Sequence, residues 1–314
     1  MRLLVPVALS VSAAVLGCDP PPAADDVIDQ RVEIPDAPAD GMQLIGPELT
    51  IESGEDKMLC WVPDIAALDA DQLVARFETF QGQSGHHLLA MKSIIPREPG
   101  EIFDCSSLEN MSTVRPLFTP NTANSEGTFN LLTDDFAVRL PANTQLVMQS
   151  HYVNTNLKPI IVRDVGNLVF LPENEERIEA NYFAIHDGDF SVPPTNASYK
   201  HSVDCVIDQP VQFASIIGHM HEWGQRVTVE KIEASGNTMI YEVADWGPQF
   251  RDAPPVTHYP LDNALSMDAG DTMRLTCEWV NDTGDTLGFP NEMCDSMLVY
   301  YPARPEGFVI CGDE

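Results

Sequence analysis

Five of the eight histidines in this 314-residue chain fall into two groups that could each hold a metal ion. His86 and His87 are adjacent in SGHHLLAM, with His151 further on in MQSHYVN. His219 and His221 stand two apart in GHMHEW, with Met293 further on in FPNEMC. Alternate side chains of a strand share a face, so His219 and His221 are expected to point one way and Met220 into the opposite layer. Imidazole suits copper, zinc, iron or nickel, whereas a thioether is a soft ligand that selects copper and favours Cu(I). Met293 therefore moves the expectation for the second group to copper. The first group is all nitrogen. Neighbouring strand residues face opposite ways, so using both His86 and His87 requires a bulge or different ring nitrogens. Spacing alone does not establish that site: His86 and His87 would also serve as a hydrogen-bonded pair, and a lone methionine is usually core.

The elements that must position these ligands are strands. Short runs rich in Val, Ile, Phe and Tyr, such as TQLVMQSHYV, NLVFL, QRVTVEKI, NTMIYEV, DTMRLTCEWV and MLVYY, are separated by Pro, Gly, Asn and Asp, as in β-sandwiches. Only Ile65 to Phe77, IAALDADQLVARF, has a brief helical pattern, with a loop turn as the alternative in a β domain. From Met42 onward there are 273 residues, enough for two domains with sizeable cores. The polar segment Pro172 to Glu179 is the linker candidate. The expected organisation is a leader at 1–17, a lipidated cysteine with an acidic, Pro-rich disordered tether at 18–41, and domains at 42–175 and 176–314.

The leader has one basic residue and an apolar run too short to span a bilayer. VLGC resembles a bacterial lipobox, which would make Cys18 the lipidated mature N-terminus; an ordinary signal peptide with an incidental cysteine is the alternative. The Pro, Ala and Asp that follow cannot form a core and suit a spacer. A bacterial cell envelope is thus expected, with a lipid anchor and the chain facing the periplasm or the exterior. Apart from Cys18, six cysteines remain, an even number consistent with three disulfides in an oxidising compartment, with fifteen possible connectivities. The net charge of −31 comes from 48 acidic and 17 basic residues, and only seven of the acids lie at 19–41. The folded part is therefore acidic, which disfavours nucleic acid and anionic membrane surfaces and attracts cations over a screened range. An acidic shell that favours solubility would look the same.

Taken together and in order, these motifs resemble the ascorbate-dependent type II copper monooxygenases, the family of peptidylglycine alpha-hydroxylating and dopamine beta-monooxygenases. The vicinal HH falls on His86 and His87, HY on His151 and Tyr152, HxH on His219 and His221, and EMC on Glu292, Met293 and Cys294. MLVYYP looks more like the dopamine-type branch. The resemblance runs from about Met58 to Cys311. It implies two jelly-roll-like antiparallel sandwiches in tandem, each with its copper facing an interdomain cleft. It implies disulfides Cys60–Cys105, Cys205–Cys311 and Cys277–Cys294, the last tying down the neighbour of Met293. It also implies that copper at His219, His221 and Met293 activates O2 beside a small-molecule substrate. Copper at His86, His87 and His151 would supply the second electron, with ascorbate or another one-electron donor as reductant.

Departures bear on the substrate. The peptide-type branch holds its substrate carboxylate with an arginine and a tyrosine, at positions that here are Ile217 and Met297, so a peptidylglycine substrate is not expected. Gln149, two before His151, is a candidate for orienting the first site. Glu222 would come near the second copper only if the strand bulges. His186, His201 and His258 lie outside the motifs and are expected to be surface or hydrogen-bonding residues. The alternative function is a non-catalytic copper carrier or buffer, since a ligand set establishes binding and not turnover. Two chemically distinct, complete sets argue against it.

Overall fold

The computed structural model describes residues 27–312 apart from 66–67, 119–121, 125–126, 130, 252 and 290. The expected leader, Cys18 and the first part of the tether lie outside the described residues. Strand accounts for 49% and helix for 3%, so the all-β expectation holds. Pairing is antiparallel except at three places among the described residues: Ile28–Asp29 beside Ile160–Val162, Phe136–Leu140 beside Ile178–His186, and Ile178–His186 beside Val309–Cys311.

Two layered bodies are joined through one sheet. A five-stranded sheet runs in the order Ile102–Asp104, Asp56–Trp61, Leu146–Val153, Gly85–Ser93, Val114–Phe118. A four-stranded sheet runs Ser198–Val206, Thr272–Val280, Gly224–Ile232, Thr238–Val243. A ten-stranded sheet backs both, and its halves meet where Phe136–Leu140 pairs with Ile178–His186. Between the four-stranded sheet and this long sheet lies one core, containing Phe183, Ile185, Phe213, Ile216, Leu298 and Tyr300. The alternate residues Tyr182, Ala214, Ile217, Val299 and Tyr301 belong to the other main core, with Leu88, Met148 and Phe136. That portion of the sheet is buried on both faces, which is why LVYY is a continuous apolar run and only Ser215 interrupts ASIIG. Thr272–Val280, covered on one face only, alternates strictly between buried and half-buried residues.

Two sequence expectations need correction. The helical pattern at Ile65 to Phe77 gives way to a strand, Gln72–Phe80, whose Val74, Ala75 and Phe77 are buried; tertiary burial outweighs a weak local preference. The tether also does not remain unstructured to residue 41. The amides of Ile28, Gln30 and Val32 donate to the carbonyls of Pro159, Ile161 and Arg163, and the Gln30 side chain accepts from the Ser84 amide. These main-chain bonds give a polar segment a docked conformation that its composition does not announce. No helix among the described residues is long and apolar enough to cross a membrane.

Candidate metal centres

The first histidine group sits on neighbouring antiparallel strands, Gly85–Ser93 and Leu146–Val153. His87 is directly opposite His151, and the register then slips so that Tyr152 faces Gly85. His86 is the extra residue of this bulge, which re-aims a side chain that a regular pleat would turn away. The three rings gather with centroids 5.0 Å apart for His86–His87, 4.6 Å for His86–His151 and 5.0 Å for His87–His151. One ligand nitrogen from each lies within 4.8 Å of the others, the one such group of His, Cys, Asp or Glu among the described residues.

Side chains set which nitrogen is available on two of the rings. His151 Nε2 is 2.7 Å from Asp56 Oδ1, and His87 Nε2 is 3.1 Å from Gln149 Oε1. Gln149 has the orienting position expected of it, and its own Nε2 donates to Met111 Sδ at 3.3 Å. Both contacts engage Nε2 and leave Nδ1 as the other ring nitrogen. His151 Nδ1 is buried without a hydrogen-bond partner among the described residues. Such an orphan costs roughly 1–3 kcal/mol, and a metal would satisfy it. Burial, followed by the neighbouring charges of His86 and His151, pushes the His87 imidazole well below its usual range. Neutral imidazole is the form that binds a metal. The His151 hydrogen bond holds the Asp56 carboxyl below the usual carboxylate range, as suits an acceptor that fixes a ligand's tautomer.

The second group is built differently from the expected regular strand. Val211–His219 ends at His219, and His221 lies in the turn that leads into Gly224–Ile232. Met220 does enter the opposite layer, fully buried. The His219 and His221 rings are nonetheless 5.2 Å apart and nearly perpendicular. The Asn291 carbonyl is 3.1 Å from His221 Nδ1, leaving Nε2 as the other donor. Half-buried Met293 is two residues along from that carbonyl. All three disulfides implied by the resemblance are formed, and Cys277–Cys294 fastens the Met293 loop to the strand Thr272–Val280.

The two groups face one another at the seam between the layered bodies: the His86 and His221 rings are 6.4 Å apart. The donor sets fit copper, with three imidazoles on one side and two imidazoles beside a thioether-bearing loop on the other. Ile217 and Met297 are cross-strand partners, and Ile217, two before His219, lies in the core shared by both bodies, with Met297 packed against it. Glu222 is in the turn and forms an ion pair with Arg251. His186 pairs with Asp295 and His201 with Asp187, at 2.6 and 2.8 Å; His258 lies on the short strand Thr257–His258.

Sequence reasoning missed Asp56, Asn291 and the contacts of Glu292. Asp56 carried no motif signal, because its role depends on the pairing of Asp56–Trp61 with Leu146–Val153. Glu292 was visible inside EMC, but not as a residue with work of its own.

Residues 181–312 match the family model for the C-terminal domain of copper type II ascorbate-dependent monooxygenases. No curated protein matches the sequence. Among solved structures, the chain is similar to infectious bursal disease virus, Gt strain, at 12% identity, covering 87% of this chain and 75% of that one with a TM-score of 0.23. It is similar to the VP2 subviral particle of infectious bursal disease virus at 13% identity, covering 86% and 74%, with a TM-score of 0.20. Likeness that slight carries no argument about this chain.

Proposed function

We propose, from the match of residues 181–312 to the C-terminal domain of the copper type II ascorbate-dependent monooxygenases, that this chain is a two-copper enzyme of that family hydroxylating a C–H bond of a small molecule. Substrate, O2, two electrons and two protons give the alcohol and water, the electrons coming from two equivalents of ascorbate or another one-electron donor. Copper, when bound, would supply the one-electron redox chemistry and the reduction of O2.

The observation that carries the reading is the approach of the two groups, 6.4 Å between the His86 and His221 rings. A carrier or buffer has no need of two different donor sets brought face to face, whereas coupled one-electron chemistry does. His86, His87 and His151 form the all-nitrogen set, with the His87 and His151 rings oriented by Gln149 and Asp56. His219, His221 and Met293 form the softer set, biased toward reduced metal. Ile217 and Met297 leave no carboxylate-binding pair at those positions and pack into the core instead, which argues against a peptidylglycine substrate.

Copper titration of the full chain tests this. Two coppers per chain are expected, with Met293→Ala weakening one site chiefly as Cu(I) and His86→Ala weakening the other. Oxygen uptake with ascorbate should rise in proportion to product when amines and aromatics are screened. One copper or none, or oxygen consumption that no substrate couples, would overturn the assignment.

A further inference from the structure

The second group is held by a buried carboxylate that is not itself placed among the candidate ligands. Glu292 has no exposed surface. Its Oε2 accepts from the His221 amide at 3.0 Å and the Trp279 indole N–H at 2.9 Å, and its Oε1 accepts from the Trp223 amide at 2.8 Å. Two of these donors are main-chain groups of the turn that carries His221. The third stands on the strand Thr272–Val280, two residues beyond Cys277, which is bonded to Cys294. The carboxylate therefore joins three pieces: the His221 turn, the Met293 loop and the strand to which that loop is crosslinked. The same turn is gripped from its other side, where the Trp246 indole donates to the His221 carbonyl at 3.0 Å.

We propose that Glu292 is the positioning residue of the second centre, locking the main chain of His221 to the loop of Met293 so that the two ligands move as one body. The proposal rests on the reading of His221 and Met293 as ligands and assigns Glu292 no direct contact with metal. Its chemistry explains the residue type. Three donors converge on two oxygens, and only a carboxylate accepts at both ends. A glutamine would turn an N–H2 group toward at least one of the donors, and an apolar residue would strand the two part-buried amides and the buried indole. An aspartate would be one methylene too short to reach the turn from the same loop.

The test is Glu292→Gln in the full chain, read without reference to turnover. Cu(I) alone is titrated against a competing chelator, and sulfur ligation is followed by X-ray absorption. Amide exchange is measured in the metal-free protein. One site should lose about 10- to 100-fold in Cu(I) affinity, the range typical when an orienting partner of a ligand is removed, with its sulfur signal diminished and the His86, His87, His151 site unchanged. The His221 and Trp223 amides should exchange at least about tenfold faster while those of Thr272–Val280 stay protected. Trp279→Phe, which removes one donor and leaves both amide bonds, should retain sulfur ligation with a smaller loss. Unchanged affinity and unchanged exchange in Glu292→Gln would overturn the proposal, as would equal weakening of both sites. If Glu292→Gln does not fold, Trp279→Phe decides: full wild-type affinity and exchange would overturn it. Cu(I) bound through Met293 without any oxygenase activity would sink the enzymatic reading and leave Glu292 in its role. Absent copper binding at His221 and Met293 in the wild type, the reading and the proposal fall together, whereas wild-type binding that Glu292→Gln leaves intact sinks the proposal alone.

Discussion

The first histidine group is fixed by side chains on a sheet, and the second by main-chain contacts and a crosslink around a turn. His86, His87 and His151 inherit their places from paired strands and one bulge, with Asp56 and Gln149 settling ring orientation. His221 and Met293 lie outside regular strands and are held by Glu292, Asn291 and the Cys277–Cys294 bond. A sheet tolerates little movement without breaking a ladder, so three imidazoles on it make a stiff site. A turn and a loop would wander, and the crosslink and buried carboxylate limit that freedom.

The largest expected effect breaks the comparison at the crosslink. Replacing Cys277 and Cys294 together by alanine opens a loop with a sequence separation of 17, worth about 3 kcal/mol on chain-entropy grounds. Urea unfolding should show that loss, and Cu(I) affinity should fall at the second group. Equal weakening of the first group would mean that the two are not independently supported.

A comparable effect concerns the support of the first group. Behind His151, Tyr152 donates to buried Asp164 and the Trp61 indole donates to Ser150 at 3.0 Å. Burial raises the Asp164 carboxyl from 3.8 to about 6. Because the folded-state value lies above the unfolded one, the associated stability is complete below about pH 4 and is lost as pH rises through about 6. The loss amounts to about 3 kcal/mol for a shift of roughly two units. Asp164→Asn should remove this slope from the stability profile between pH 4 and 7; a slope identical to wild type would show that another group carries it.

Asp56→Ala should have the smallest effect of the three and the sharpest one. The first group should lose about 10- to 100-fold in copper affinity, the range for losing a ligand's orienting partner. The second should be untouched, as separate titration of the two sites would reveal. A loss at both would mean that the 6.4 Å approach of His86 and His221 makes them one cooperative site.

Much of this was legible in the residues. Ligand types, their order and the soft thioether at Met293 pointed to copper, and runs such as DTMRLTCEWV and MLVYY pointed to the strands that they form. The need for a bulge at His86 and His87 followed from the two-residue period of a pleat; Met220 is buried as expected, although it lies just past the end of the strand. The same rule failed at His221, because the strand ends at His219 and nothing in GHMHEW says where pairing stops. The helical pattern at Ile65 to Phe77 failed for a related reason: pairing and burial override local preference.

By itself the sequence determined which atoms were available for copper, that the chain is all-β, and, through its family resemblance, which cysteines pair. Only the tertiary structure decided that the two groups meet, that Asp56 and Gln149 orient rings carried on another part of the chain, and that Glu292 ties a turn to a loop 71 residues away. Donor chemistry and side-chain period are local properties and can be read along the chain. Register between strands and the convergence of donors on a buried carboxylate are long-range, and they exist only once the sheets have packed.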